Sequence, residues 1–107
     1  MGSLFYGSSA DPIRMPDRVL AHVKVVIATK LRRGESFTLS WRHPEGESVG
    51  RSTIWLQPSI PLRFVFAETE PEMLDPALLQ TYANSANSSG GLTIDIDAAK
   101  SAPALPA

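Results

Sequence analysis

Apolar side chains recur at Val19, Leu20, Val23, Val26, Ile27 and Leu31, a spacing that gathers them on one face of a helical wheel. This predicts an amphipathic helix over residues 18–33. Asp17, following Pro16, is the expected cap for the free N–H groups of its first turn, and Gly34 is the stop. The β-branched run Val23, Val25, Val26 and Ile27 lowers intrinsic helix propensity, so packing has to hold this helix in place. After Gly34 the period changes to two. Phe37, Leu39 and Trp41 face one way and Thr38, Ser40 and Arg42 the other, which predicts a half-buried strand.

The stretch 43–50 reads as a hairpin loop, 52–56 as the returning strand, and 60–66 as a third strand with Leu62, Phe64 and Phe66 towards the core. Before the helix, Leu4-Phe5-Tyr6 and Ile13-Arg14-Met15 predict two short strands. Asp75-Pro76 joins a capping residue to a proline at the first helical position and opens a second helix with Leu78, Leu79, Tyr82 and Ala86 on its apolar stripe. Gly90-Gly91 ends that segment, and residues 92–96 alternate as a last strand. The expected fold is α+β, in the order β-β-α-β-β-β-α-β. Its five or six strands form a small antiparallel sheet centred on a three-strand meander, with two helices packed against it. Residues 1–97 form one domain, and the Ala/Pro-rich residues 98–107 are expected to be a disordered tail.

A chain of 107 residues with 43% hydrophobic content supports one modest core. The absence of cysteine excludes disulfides, thiolate nucleophiles and cysteine-ligated metals. No charged segment leads into an apolar run of signal-peptide or membrane-spanning length, so a cytoplasmic chain without membrane contact is expected. The net charge of −1 conceals a strong asymmetry. Residues 14–63 hold nine basic side chains against four acidic ones, net +5, and residues 64–107 hold one against six, net −5. Such a division suits either an anion-binding face or a molecule that associates with its own copies.

Reactive residue types do not cluster with catalytic spacing. His22 falls towards the polar side of the first helix and His43 lies in a loop, neither of them in a zinc motif. Asp95 and Asp97 are too few to hold calcium. The glycines at 46 and 50 are spaced wrongly for a phosphate-binding loop, and their glutamate neighbours would repel phosphate. No metal and no cofactor is implied. The candidates that remain are cationic and aromatic. Lys30, Arg32 and Arg33 end the first helix, where they complement its dipole; together with Arg42 and Arg51 they could form a phosphate-binding patch. Trp41 and Trp55, on neighbouring strands, are candidate contacts for a partner protein or a stacked base.

Several segments carry a resemblance: Asp17-Arg18-Val19-Leu20-Ala21-His22, Lys30-Leu31-Arg32-Arg33-Gly34-Glu35-Ser36-Phe37 leading to Ser40-Trp41, Gly50-Arg51-Ser52, Trp55-Leu56 and Pro58-Ser59-Ile60-Pro61-Leu62. In these the chain resembles a family of short actinobacterial proteins that often carry the label ATP-dependent DNA ligase or ligase-like. The resemblance implies an architecture and no mechanism. A nucleotidyltransferase ligase needs a nucleophilic lysine in a Lys-x-Asp-Gly motif, and none of Lys24, Lys30 and Lys100 has that context. Where relatives tend to read Trp-x-His-Pro-Ser, Gln57 precedes Pro58-Ser59, and the second helix diverges. The expectation is therefore a non-enzymatic interaction module that associates with itself, or alternatively a nucleic-acid accessory protein.

Overall fold

The computed structural model describes residues 1–97. Its elements are β1 (Gly2–Tyr6), β2 (Ile13–Met15), α1 (Asp17–Arg32), β3 (Phe37–Arg42), β4 (Arg51–Leu56), β5 (Leu62–Val65), α2 (Pro76–Ala86) and β6 (Leu92–Ile94). The α+β class, the two helices and the order of elements are those expected. The tail expected over residues 98–107 lies outside the described residues.

The strand pairing differs from the expected meander. Two three-stranded sheets form, in the orders β2-β1-β5 and β4-β3-β6. β5 leaves the β3-β4 hairpin and pairs antiparallel with β1, from Ser3↔Val65 to Tyr6↔Leu62. The reason lies in the connection. Residues 57–61 hold Pro58 and Pro61, which have no N–H to donate to a ladder beside β4, and a tight turn closed by Ile60 N–H to the Gln57 carbonyl (3.1 Å). The Pro61 carbonyl then accepts from Gly7 N–H at 2.9 Å and continues the β1 ladder. The expectation of one antiparallel sheet is corrected as well, because β6 runs parallel to β3, with Leu39↔Leu92 and Trp41↔Ile94 in register. A parallel neighbour requires a crossover, and α2 lies within it.

The core is built on the apolar stripe of α1. Val19, Leu20, Val23, Val26 and Ile27 pack with Leu4 of β1, Met15 of β2, Phe37, Leu39 and Trp41 of β3, Leu56 of β4 and Leu92 and Ile94 of β6, closed by Tyr82 and Ala86 of α2. Full burial of each such aliphatic side chain contributes about 1.5–3 kcal/mol, which offsets the low propensity of the β-branched run. Leu62, Phe64 and Phe66 pack half-buried against the same cluster, as their alternation predicted. Gly2 permits the close approach of β1 to the start of α1, since a Cβ there would lie 2.6 Å from Leu20 Cδ2 and 2.7 Å from the Val65 carbonyl oxygen.

Two polar residues on α1 depart from their expected roles. α1 begins at Asp17 itself, with Pro16 in the cap position. The Asp17 carboxylate instead accepts from Ala67 N–H (3.0 and 3.1 Å to its two oxygens) and Glu68 N–H (3.0 Å), fastening the end of β5 to the helix start. His22 is not at the polar boundary but is 0% exposed. Its Nε2 accepts from Asp75 N–H (2.8 Å), so the ring proton sits on Nδ1 and is donated to the Arg18 carbonyl (2.6 Å). Asp75 caps α2 as expected, accepting from Ala77 N–H at 2.9 Å ahead of Pro76. A neutral imidazole on one helix thus holds the cap of the other, supplemented by the Arg18–Asp75 ion pair at 3.0 Å.

α2 also seals the free edge of β6. Ser85 Oγ accepts from Thr93 N–H (2.9 Å) and donates to the Gly91 carbonyl (3.1 Å). Among the described residues, no helix is long and apolar enough to cross a membrane.

Two outcomes follow from this packing. His22→Leu leaves the part-buried Asp75 N–H without its acceptor and should destabilise the chain by about 1–3 kcal/mol in urea unfolding, with hydrogen exchange rising first at the start of α2. Burial pushes the Tyr82 phenol above its ordinary 10.0, while Arg18 pulls it down and Asp95 pushes it up. The unfolded chain then loses this proton first, so the Tyr82 contribution to stability is fully present below pH 10 and is lost as pH rises from there through the raised folded value. Tyr82→Phe removes that dependence, and the gap in unfolding free energy between variant and parent should shift in favour of the variant across this range.

Candidate functional site

The sheet β4-β3-β6 turns one face inward, carrying Phe37, Leu39, Trp41, Leu56, Leu92 and Ile94, and the other outward. Because paired residues share a face, the register arranges the outward side chains in three rows. Arg42↔Arg51 forms the first, Thr53↔Ser40↔Thr93 the second and Thr38↔Trp55 the third. The hydroxyl row is joined directly, Ser40 Oγ lying 2.8 Å from Thr53 Oγ1.

Arg42 and Arg51, directly opposite each other, are both exposed. Like charges in this position oppose strand pairing. Among the described residues, ion pairs form between Arg18 and Asp75 and between Lys30 and Glu35, and neither includes these two arginines. Asp95, one residue past β6, turns its carboxylate to its own loop, accepting from Asp97 N–H at 3.1 Å. Among the described residues, neither arginine of this cross-strand pair has a carboxylate at ion-pair distance.

At the opposite end of the face Trp55 is 52% exposed. Its backbone is fixed by Tyr6, whose hydroxyl donates to the Trp55 carbonyl at 2.6 Å and joins the two sheets there. Trp41 is only 8% exposed and belongs to the core. The expectation that both tryptophans are available to a partner is corrected for Trp41, and Trp55 is the tryptophan on the outward face. Parity on the strands decides it, since Trp41 has the phase of Leu39 and Trp55 the phase of Arg51 and Thr53.

The basic residues expected to form one patch are divided. Lys30, Arg32 and Arg33 end α1, whereas Arg42 lies five residues along β3 from Phe37, about 17 Å at strand rise. Lys30 is engaged, with its Nζ 3.1 Å from Glu35 Oε1, 2.9 Å from Asn87 Oδ1 and 5.5 Å from the centre of the Phe37 ring. Arg32 and Arg33 are exposed on the helix end. Of the five, only Arg42 and Arg51 share the outward sheet face.

His43 is held more firmly than its loop position suggested. Its Nδ1 lies 2.9 Å from the Ser48 carbonyl and its Nε2 2.8 Å from Ser52 Oγ, so the ring donates to the carbonyl and accepts from the hydroxyl, clipping the loop to the base of the β3-β4 hairpin. Among the described residues, no group of three or more His, Asp or Glu side chains is placed to hold a metal ion. The hydroxyl row is a further feature of this face, legible in the polar phase of residues 38–42 and 51–55 for Ser40 and Thr53 and fixed for Thr93 only by the parallel pairing of β6.

Beside Trp55, the turn after α2 closes against the sheet. Gly91 adopts φ +79°, and a Cβ on it would meet Thr38 Oγ1 and lie 2.7 Å from the Thr38 carbonyl oxygen. Gly91→Ala should therefore destabilise the chain by about 1–3 kcal/mol from the backbone conformation alone, with further loss from the clash, measurable as a lowered urea midpoint and as raised exchange at Thr93 N–H.

A family model described as a domain of unknown function (DUF7882) matches residues 1–97. No curated protein and no solved structure matches the chain.

Proposed function

The chain belongs to the DUF7882 family, a domain of unknown function, and we propose that it is a small non-enzymatic binding module that holds single-stranded nucleic acid across its outward sheet face. The observation that carries this reading is the cross-strand Arg42↔Arg51 pair, both exposed and in no ion pair among the described residues, on the same face as a half-exposed tryptophan. An opposed arginine pair costs the fold stability, and a phosphate between the two offsets that cost with charge-assisted hydrogen bonds. Thr53, Ser40 and Thr93 supply hydroxyls for phosphate or sugar oxygens in the intervening row. Trp55 supplies a stacking surface, which an unpaired base can reach and a base inside a duplex cannot. The reading is non-enzymatic because the two imidazoles serve the fold, His22 at the α2 cap and His43 on its loop.

Self-association is a second reading. Its support is a loop of opposite charge, Glu68, Glu70 and Glu72, with exposed Met73 and Leu74 at its end. The core already closes within one chain, so a second copy is not needed to complete it.

Fluorescence anisotropy with a labelled single-stranded oligonucleotide tests the first reading. Binding is expected at about 50 mM salt, weakening with a log–log slope near 0.7 per phosphate contacted. Arg42→Ala and Arg51→Ala should each lower that slope by about this amount. No binding to single-stranded DNA or RNA at low salt overturns the reading, and a dimer in sedimentation that salt disperses would assign the charges to a second copy instead.

A further inference from the structure

Resting on that reading, we propose that the hollow at the Trp55 end of the face is a pocket for a single nucleobase bearing an exocyclic amine, and that phosphate is held only at the arginine end. The hollow has a volume of about 310 Å³ and lies between Trp55 and Thr38 of the sheet, Ser36 after α1, and Asn87, Ser88 and Ser89 after α2. This size is at the lower end of the range for small-ligand sites, about 300–1,000 Å³. It suits one planar ring system and not a length of strand.

Three features set the chemistry of the occupant. Trp55, half-exposed on the wall, offers an aromatic surface for stacking. Both helices end here, with Lys30 and Ser36 lining the hollow at the end of α1 and Asn87 and Ser88 at the end of α2. The C-terminal ends of helices carry partial negative charge, which disfavours phosphate and favours a ligand whose edge carries N–H groups. The one ammonium in the wall, Lys30, is only 12% exposed and already bound to Glu35 and Asn87. A neutral, flat, donor-bearing ligand satisfies all three. Adenine, cytosine and guanine present an amino group, whereas thymine and uracil present a carbonyl in its place.

The two ends of the face thus divide the labour. Trp55 and Arg51 are four residues apart on β4, about 13 Å, so a strand laid along β4 places a base in the hollow and a phosphate farther along, between the arginines. Base identity then affects affinity at one end only, and salt at the other.

The test uses the full chain and follows tryptophan emission, with Trp55→Ala separating the signal of Trp55 from that of Trp41. Adenosine, which has no phosphate, should quench Trp55 with little dependence on salt. Inorganic tripolyphosphate should displace a labelled oligonucleotide without quenching. An oligo(dA) strand should bind more tightly than oligo(dT) of equal length, and Trp55→Ala should weaken oligo(dA) binding by about tenfold and abolish the preference. Arg42→Ala with Arg51→Ala should leave adenosine binding intact, a readout that also shows the variant is folded. If the oligonucleotide binds but adenosine does not quench, or if oligo(dT) binds as tightly as oligo(dA), the pocket proposal is overturned while the strand-binding reading stands. A neutral disaccharide that quenches as well as adenosine overturns the assignment to a base. If adenosine binds and no oligonucleotide does, the pocket stands and the strand-binding reading falls.

Discussion

Everything in this fold depends on covering one helix. α1 carries a broad apolar stripe of β-branched and leucine side chains whose own preference for helix is weak, so the helix persists only if that stripe is buried along its length. A single three-stranded meander is too narrow for the task. Two sheets divide it, and β5 must abandon β4 to give β1 a second neighbour and complete the second wall. The same demand explains the polar anchors: Asp17 ties the end of β5 to the helix start, and His22 draws in α2 to close the remaining side.

Much of this was legible in local pattern. The 3.6-residue spacing of Val19, Leu20, Val23 and Ile27 gave α1, Asp75-Pro76 gave the start of α2, and the alternation in residues 37–42 gave β3. What could not be read was pairing. A strand's alternation says which side chains face inward and nothing about which strand lies beside it, so neither the move of β5 to β1 nor the parallel placement of β6 through the α2 crossover is written in the local pattern. Asp17 and His22 misled for a related reason. Their hydrogen-bond partners, Ala67, Glu68 and Asp75, are fifty or more residues away, and the local rules for caps and wheel positions do not reach that far.

The candidate site shows the same division. Arg42, Arg51 and Trp55 were found from residue type and strand position, and the unexpected part was their order on the face. Charge counted along the chain grouped Lys30, Arg32 and Arg33 with the strand arginines, although the length of β3 separates them. Lys30 is held by Glu35 and Asn87. Parity on a strand proved the better guide than proximity in sequence, since it separates Trp41 from Trp55 and puts the arginines with the hydroxyls.

The small role of Ser85 has a wider effect. By taking the Thr93 amide and the Gly91 carbonyl onto one hydroxyl, it ends the β4-β3-β6 sheet on that side as a further strand would have done. β4 is the border of this sheet that no helix covers, and there the Tyr6 hydroxyl already occupies the Trp55 carbonyl. A sheet closed on one flank can be joined on the other just once. Pairing of β4 with the β4 of a second copy would therefore leave no further edge of this sheet to extend.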